Sequence, residues 1–138
     1  MRKSLSNATR LAVKKRANYC CEYCKIHEDD MYLAYEIDHI ISLKHGGGNE
    51  LSNLAYACPI CNQHKGTDLS TFVDTYNNLV PLFHPRIHLW NEHFSIDFGE
   101  ILPLSDIGKG TIKLLQMNDV DLIILRRVLA KSGRYPRF

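Results

Sequence analysis

Two Cys-x-x-Cys pairs, Cys21-Glu-Tyr-Cys24 and Cys58-Pro-Ile-Cys61, constrain this chain more than any other feature. Each pair has the spacing at which two thiolates grip one tetrahedral zinc, and four such ligands close a structural site. The pairs are separated by 33 residues, more than a simple zinc ribbon uses. A zinc knot there ties the base of a long loop. Glu36, Asp38, His39 and Asn53 lie on that loop, and Asn62 follows directly after Cys61. Redox-active pairs of the thioredoxin kind require a strand–helix context within an α/β domain, so structural zinc is the stronger reading. Cys20 stands at the wrong spacing to join either pair and reads as a small, buried or partly exposed thiol.

A chain of 138 residues suits one domain that can bury a core and still gain from a metal staple. It parses as a basic N-terminal segment (1–19), a core (20–67) and a C-terminal extension (68–138). No apolar run approaches the roughly 20 residues of a membrane span, and no secretory signal is evident at the N-terminus. With four of five cysteines in metal-like pairs, a reducing interior and a cytoplasmic location are expected. The net charge of +2 hides a segregated layout. Arg2, Lys3, Arg10, Lys14, Lys15 and Arg16 begin the chain without an acid among them; Arg126, Arg127, Lys131, Arg134 and Arg137 end it likewise. Such ends can grip phosphates. On charge alone, a solvated arm and a helix C-terminus complemented by cations is the better account.

Hydrophobic patterning predicts a short basic helix over Ala8–Asn18, a strand within Leu33–Ile41 and a second strand over Leu54–Ala57. Asp29 and Asp30 read as a surface turn. Gly46-Gly47-Gly48-Asn49 breaks the chain into a loop between the strands. Pro59 opens a helix that runs through Asn62 and Lys65 and stops at Gly66. Beyond it, Leu69, Phe72, Val73, Tyr76 and Val80 have helical spacing behind a cap at Thr67 or Asp68, which makes Phe72, Tyr76 and Leu79 core candidates. Phe94–Phe98 and Ile101–Leu104 read as a hairpin turning at Gly99-Glu100. Thr111–Met117 and Val120–Lys131 read as helices, the second capped by Asn118. His84, His88 and His93 repeat no familiar ligand spacing and are read as surface or packing residues.

The run Glu36-Ile-Asp38-His39-Ile-Ile, followed by Gly46-Gly47, Asn53-Leu54 and Cys58-x-x-Cys61-Asn62-x-x-Lys65, resembles the HNH endonuclease family over roughly residues 20–66. Six elements in order make the likeness specific. The segment from Leu82 to Phe94 resembles an extension found in some bacterial members. The resemblance implies an α+β fold: a ββα-metal (HNH, or His-Me finger) core stapled by zinc, with an extension of helices and a β-hairpin. It further implies hydrolysis of DNA phosphodiester bonds with one divalent cation, Mg²⁺ or another, leaving 5′-phosphate and 3′-hydroxyl ends. In that scheme His39 is the general base, and Asp38 and Asn62 hold the catalytic cation. Asn53 braces the loop that orients the base, and Glu36 supports the site. Cys21, Cys24, Cys58 and Cys61 hold the zinc.

A neutral imidazole suits proton removal from water near neutral pH, and a hard cation prefers oxygen ligands. Asp38 and His39 are neighbours on a strand and point to opposite faces. Either the backbone departs from regular geometry there, or the two act from different sides of the phosphate. The family often has proline where Ser42 stands here. Lys44, His45 and His64 are candidate contacts to the DNA backbone. For Lys65, phosphate contact and capping of the helix C-terminus are equally open. The competing function is a catalytically silent zinc module that binds nucleic acid or a protein partner. A module of that kind has no need of the Asp38, His39, Asn53 and Asn62 set.

Overall fold

The computed structural model describes residues 4–138; Arg2 and Lys3 of the basic N-terminal segment lie outside the described residues. Helix α1 (Asn7–Arg16) begins where the Ser6 hydroxyl accepts from the Thr9 amide at 3.1 Å. Its one buried residue, Val13, packs with Leu54 and Tyr56. Arg16 anchors its far end by donating to the carbonyls of Leu51 (2.9 Å) and Leu54 (2.6 Å). Strands β1 (Glu36–His39) and β2 (Leu54–Ala57) pair antiparallel, with Asp38 opposite Ala55 and His39 opposite Leu54. All of β2 is buried because both its faces are covered. Leu54 and Tyr56 meet α1, while Ala55 and Ala57 face the main core. Helix α2 (Pro59–Lys65) follows at once, with Pro59 in its first turn, where a missing N–H costs nothing. It ends at Gly66, whose φ of 52° favours glycine.

Two further hairpins follow. Strands β3 (Ser70–Phe72) and β4 (Leu79–Pro81) form the first. After the short helix α3 (Trp90–His93), β5 (Phe94–Asp97) and β6 (Glu100–Pro103) form the second. It turns at Phe98-Gly99, both at positive φ. Helices α4 (Asp106–Leu115) and α5 (Val120–Lys131) complete the chain. The main core runs continuously from the cysteine pairs and Tyr23 through Phe83, Trp90, Phe94 and Ile101 to Leu115 and Leu129. Residues 20–66 and the extension therefore share one apolar interior. Among the described residues no helix is long and apolar enough to cross a membrane.

Three expectations fail here. The helix expected after Asp68 is the β3–β4 hairpin. Its apolar residues mimic helical spacing, but Val73 and Val80 point inward on a strand period, while Phe72, Tyr76 and Leu79 are exposed rather than core. Gly110 of α4 gives that hairpin its seat: a Cβ there would lie 3.1 Å from a methyl of Val73 and of Val80. Helix α4 starts at Asp106, five residues before Thr111, because the Ser105 hydroxyl caps it by accepting from the Gly108 amide. Helix α5 is capped by Asp119, not Asn118. The Asn118 amide is already committed to both backbone groups of Ile101, at 2.9 and 2.7 Å.

The C-terminal cations are tied into the fold. Arg126 is fully buried and donates to the Gly99 carbonyl (2.5 Å) and the Asn118 side chain (3.0 Å). Arg127 lies over the Phe98 ring, 5.2 Å from its centre. Arg134 and Arg137 both pair with the Asp30 carboxylate, so Asp30 is only in part the surface residue its sequence context implies. Helix α4 packs closely enough that a Cβ on Gly108 would lie 2.0 Å from the His93 carbonyl oxygen. Gly108→Ala is expected to cost at least about 1–3 kcal/mol, the usual range for overpacking. Urea titration will check this; an unchanged midpoint would contradict the packing described.

Candidate metal centre and active site

The Sγ atoms of Cys21, Cys24, Cys58 and Cys61 lie within 4.8 Å of one another, and all four residues are buried. Cys24 Sγ and Cys58 Sγ are 3.8 Å apart. Ligands at a Zn–S distance of about 2.3 Å on a tetrahedron fall about 3.8 Å apart, so the cavity fits zinc. Each pair is folded into a tight turn: the Cys24 amide approaches Cys21 Sγ at 3.4 Å and the Cys61 amide approaches Cys58 Sγ at 3.3 Å. Cys20 is buried beside the cluster but is not part of it; it bridges to His27 through the backbone.

The two residues inside the first pair carry functions that the sequence does not reveal. Glu22 pairs with Arg86 and accepts from the Tyr56 amide at 2.8 Å, joining the first cysteine turn to β2 and to the extension. Tyr23 donates its hydroxyl to Asp38 Oδ2 at 2.7 Å. On the other side of that carboxylate stands Lys65, only 2 % exposed, with Nζ 3.3 Å from Oδ1 and 3.2 Å from Oδ2. Lys65 also donates to the carbonyls of His39 (3.3 Å) and Ile40 (3.1 Å). It therefore neither caps the C-terminus of α2 nor lies open to phosphate. Burial pushes the Asp38 carboxyl up from its ordinary value, and the Lys65 charge with the Tyr23 and Lys65 hydrogen bonds pulls it back.

The strand alternation at Asp38 and His39 is regular, and the two part as it requires. Asp38 is buried against Tyr23 and Lys65, while the His39 ring reaches Asn49, with Nε2 2.8 Å from Oδ1. Both border one polar cleft of about 440 Å³, with Glu36, Ser42, Lys44, Asn62, Gly66 and Thr67 among its other walls. Glu36 is exposed at the start of β1, and Asn62 is half-buried on α2. Asn53 lies behind the loop rather than in the cleft. Its Oδ1 accepts from the Ile41 amide (2.9 Å), and its Nδ2 donates to the carbonyls of Ile41 (2.8 Å) and Gly48 (2.9 Å). The loop closes so tightly on it that a Cβ on Gly47 would sit 1.8 Å from the Ile41 oxygen. Lys44 and His45 are exposed on the same loop. His64 bonds the Leu115 carbonyl at 3.0 Å, a packing contact with α4. His88 and His93 pack on Phe83 and His84 on His88, their Nδ1 atoms engaged by the His84 amide, Ser105 Oγ and the Arg86 amide respectively. Among the described residues the four cysteines are the one cluster of three or more such side chains able to hold a metal.

The model of the HNH endonuclease family matches residues 21–68, the segment that holds both cysteine pairs and the cleft. The chain carries an HNH endonuclease domain there, and its four-cysteine cluster fits the zinc-stapled type. A nuclease-type function on nucleic acid is what such a domain indicates. No curated protein and no solved structure matches the chain.

Because the thiolate site forms only on folding, its binding free energy is folding free energy. One zinc per chain is expected by elemental analysis of protein purified without chelator. Cys58→Ser should lose the zinc together with soluble fold, and Cys20→Ser should keep both.

Proposed function

We propose that the chain is a metal-dependent DNA endonuclease in which β1, β2 and α2 form a ββα-metal site and His39 is the general base. The observation that carries this reading is the polar cleft bordered by Asp38, His39 and Asn62 beside the zinc frame. Asp38 and Asn62 would hold the catalytic cation. A carboxylate and an amide carbonyl match the preference of Mg²⁺ for oxygen and leave room for water and phosphate. When bound, that cation neutralises charge growing on the scissile phosphate and the departing 3′-oxygen.

The remaining work falls to the protein. An amide oxygen only accepts, so His39 Nε2 donates to Asn49 and the lone pair resides on Nδ1. Nδ1 takes the proton from the attacking water. Asn49 fixes the ring, and Asn53 fixes the loop that carries Asn49. Glu36 adds negative charge at the cleft, and exposed Lys44 and His45 offer contacts to the DNA backbone. The silent zinc module draws support from one feature, the Lys65–Asp38 pair, which such a module would use for structure alone.

Plasmid nicking with and without Mg²⁺ separates the two. Wild-type protein should nick only with the cation. His39→Ala should slow cleavage by roughly 10²–10⁴-fold, the usual worth of a positioned base, while zinc content and DNA affinity stay at wild-type levels. Asp38→Ala should be partly recovered by excess Mg²⁺ or Mn²⁺, and His39→Ala should not. Wild-type nicking by a folded, zinc-loaded His39→Ala protein would sink the mechanism.

A further inference from the structure

The Asp38 carboxylate is held from two directions, once from inside the first zinc-binding turn and once from the helix that the second one opens. Tyr23 lies between Cys21 and Cys24 and is 1 % exposed. Its carbonyl accepts from Trp90 Nε1 at 2.8 Å and its ring meets Phe83 nearly edge-on, so the hydroxyl has little freedom to leave Asp38. Lys65 lies four residues past Cys61 on α2, one turn along the same face. We propose that Tyr23 and Lys65 are positioning residues for Asp38, through which the zinc-binding turns set the affinity of the cleft for its divalent cation.

This inference rests on the nuclease reading above. A buried ion pair is a poor source of stability, since desolvation offsets most of the attraction. Asp38 also has a second aspect, because it forms part of the cleft wall that Asn62 shares. An ionised carboxylate offers about four lone-pair sites. Tyr23 takes one on Oδ2, and the Lys65 ammonium is shared between both oxygens at 3.2 and 3.3 Å, so ligand capacity remains. A carboxylate already fixed in orientation loses little freedom when a cation arrives, which is the general advantage of a preorganised site. Outer partners of metal ligands typically account for about 10–100-fold in affinity.

The test is calorimetric titration of zinc-loaded protein with Mn²⁺, with melting temperature and zinc content measured on the same samples. Wild-type protein should bind one Mn²⁺, and Asp38→Asn should weaken that binding sharply. Tyr23→Phe keeps the ring and removes the hydroxyl. It should weaken Mn²⁺ by about tenfold while zinc content stays at one per chain, and excess Mn²⁺ should restore the nicking rate. Tyr23→Met loses the same hydroxyl with a more adaptable side chain, and carries the same expectation should the Phe variant not fold. Unchanged Mn²⁺ affinity in a folded Tyr23 variant, with or without a lower melting temperature, would overturn the inference and leave the nuclease reading standing. Wild-type Mn²⁺ binding indifferent to Asp38→Asn would remove the nuclease reading itself.

Discussion

Four thiol groups within 4.8 Å of one another fix the geometry on which everything else rests. They lie on segments 34 positions apart, from Cys24 to Cys58, whose joining costs the entropy of closing a long loop, a cost that metal binding would offset. Once that closure is made, β1 and β2 have a short, defined path between them, and α2 starts directly from a cysteine whose own sulfur caps its first turn. The cleft is a by-product of this arrangement. Its walls are the end of β1, the loop after it and one side of α2; α2 opens at Cys58, and β1 pairs with β2, the strand that Cys58 follows.

Much of this was legible in the sequence because the signals are local. The strand at Leu54–Ala57 and the helix from Pro59 to Gly66 each depend on residues adjacent in the chain and are where the patterning puts them, while the second hairpin turns one residue early, at Phe98-Gly99 rather than Gly99-Glu100. The failures are of two kinds. Leu69, Phe72, Val73, Tyr76 and Val80 satisfy a helical period by coincidence, and the surface the hairpin packs on, at Gly110 of α4, lies far along the chain. The partners of Asp38 were invisible for a different reason. Nothing in the sequence singles out Tyr23 between its two cysteines, and Lys65 reads there as a phosphate contact or a helix cap; only tertiary packing brings them to one carboxylate. Asn49 was read as part of a breaker because its neighbours are three glycines, and its side chain became meaningful once the His39 ring reached it.

The basic residues illustrate how little charge layout says about charge use. Arg16, Arg126, Arg134 and Arg137 look alike in sequence, yet their guanidinium groups go to backbone carbonyls, an asparagine amide and a buried aspartate. A planar fork of five donors suits loops and strand ends that lack ladder partners, because one side chain can serve two acceptors in fixed geometry. Arg86 does the same for Glu22 in the first cysteine turn. These four cations, open to phosphate in the sequence, are in this way committed to holding the fold together around the core.

The Tyr135 hydroxyl donates to the Cys24 carbonyl across 111 residues. During synthesis both cysteine pairs leave the ribosome long before Tyr135 does. At about 5–20 residues per second the interval is several seconds. Over that time the first cysteine turn lacks the hydroxyl that its Cys24 carbonyl accepts from. The order of emergence is therefore written into the chain: thiols first, extension next, and the tyrosine that closes over the thiol turn last. A nascent chain passes through a stage with a complete ligand set and an uncovered core, and the uptake of metal is open to it before the tail folds down.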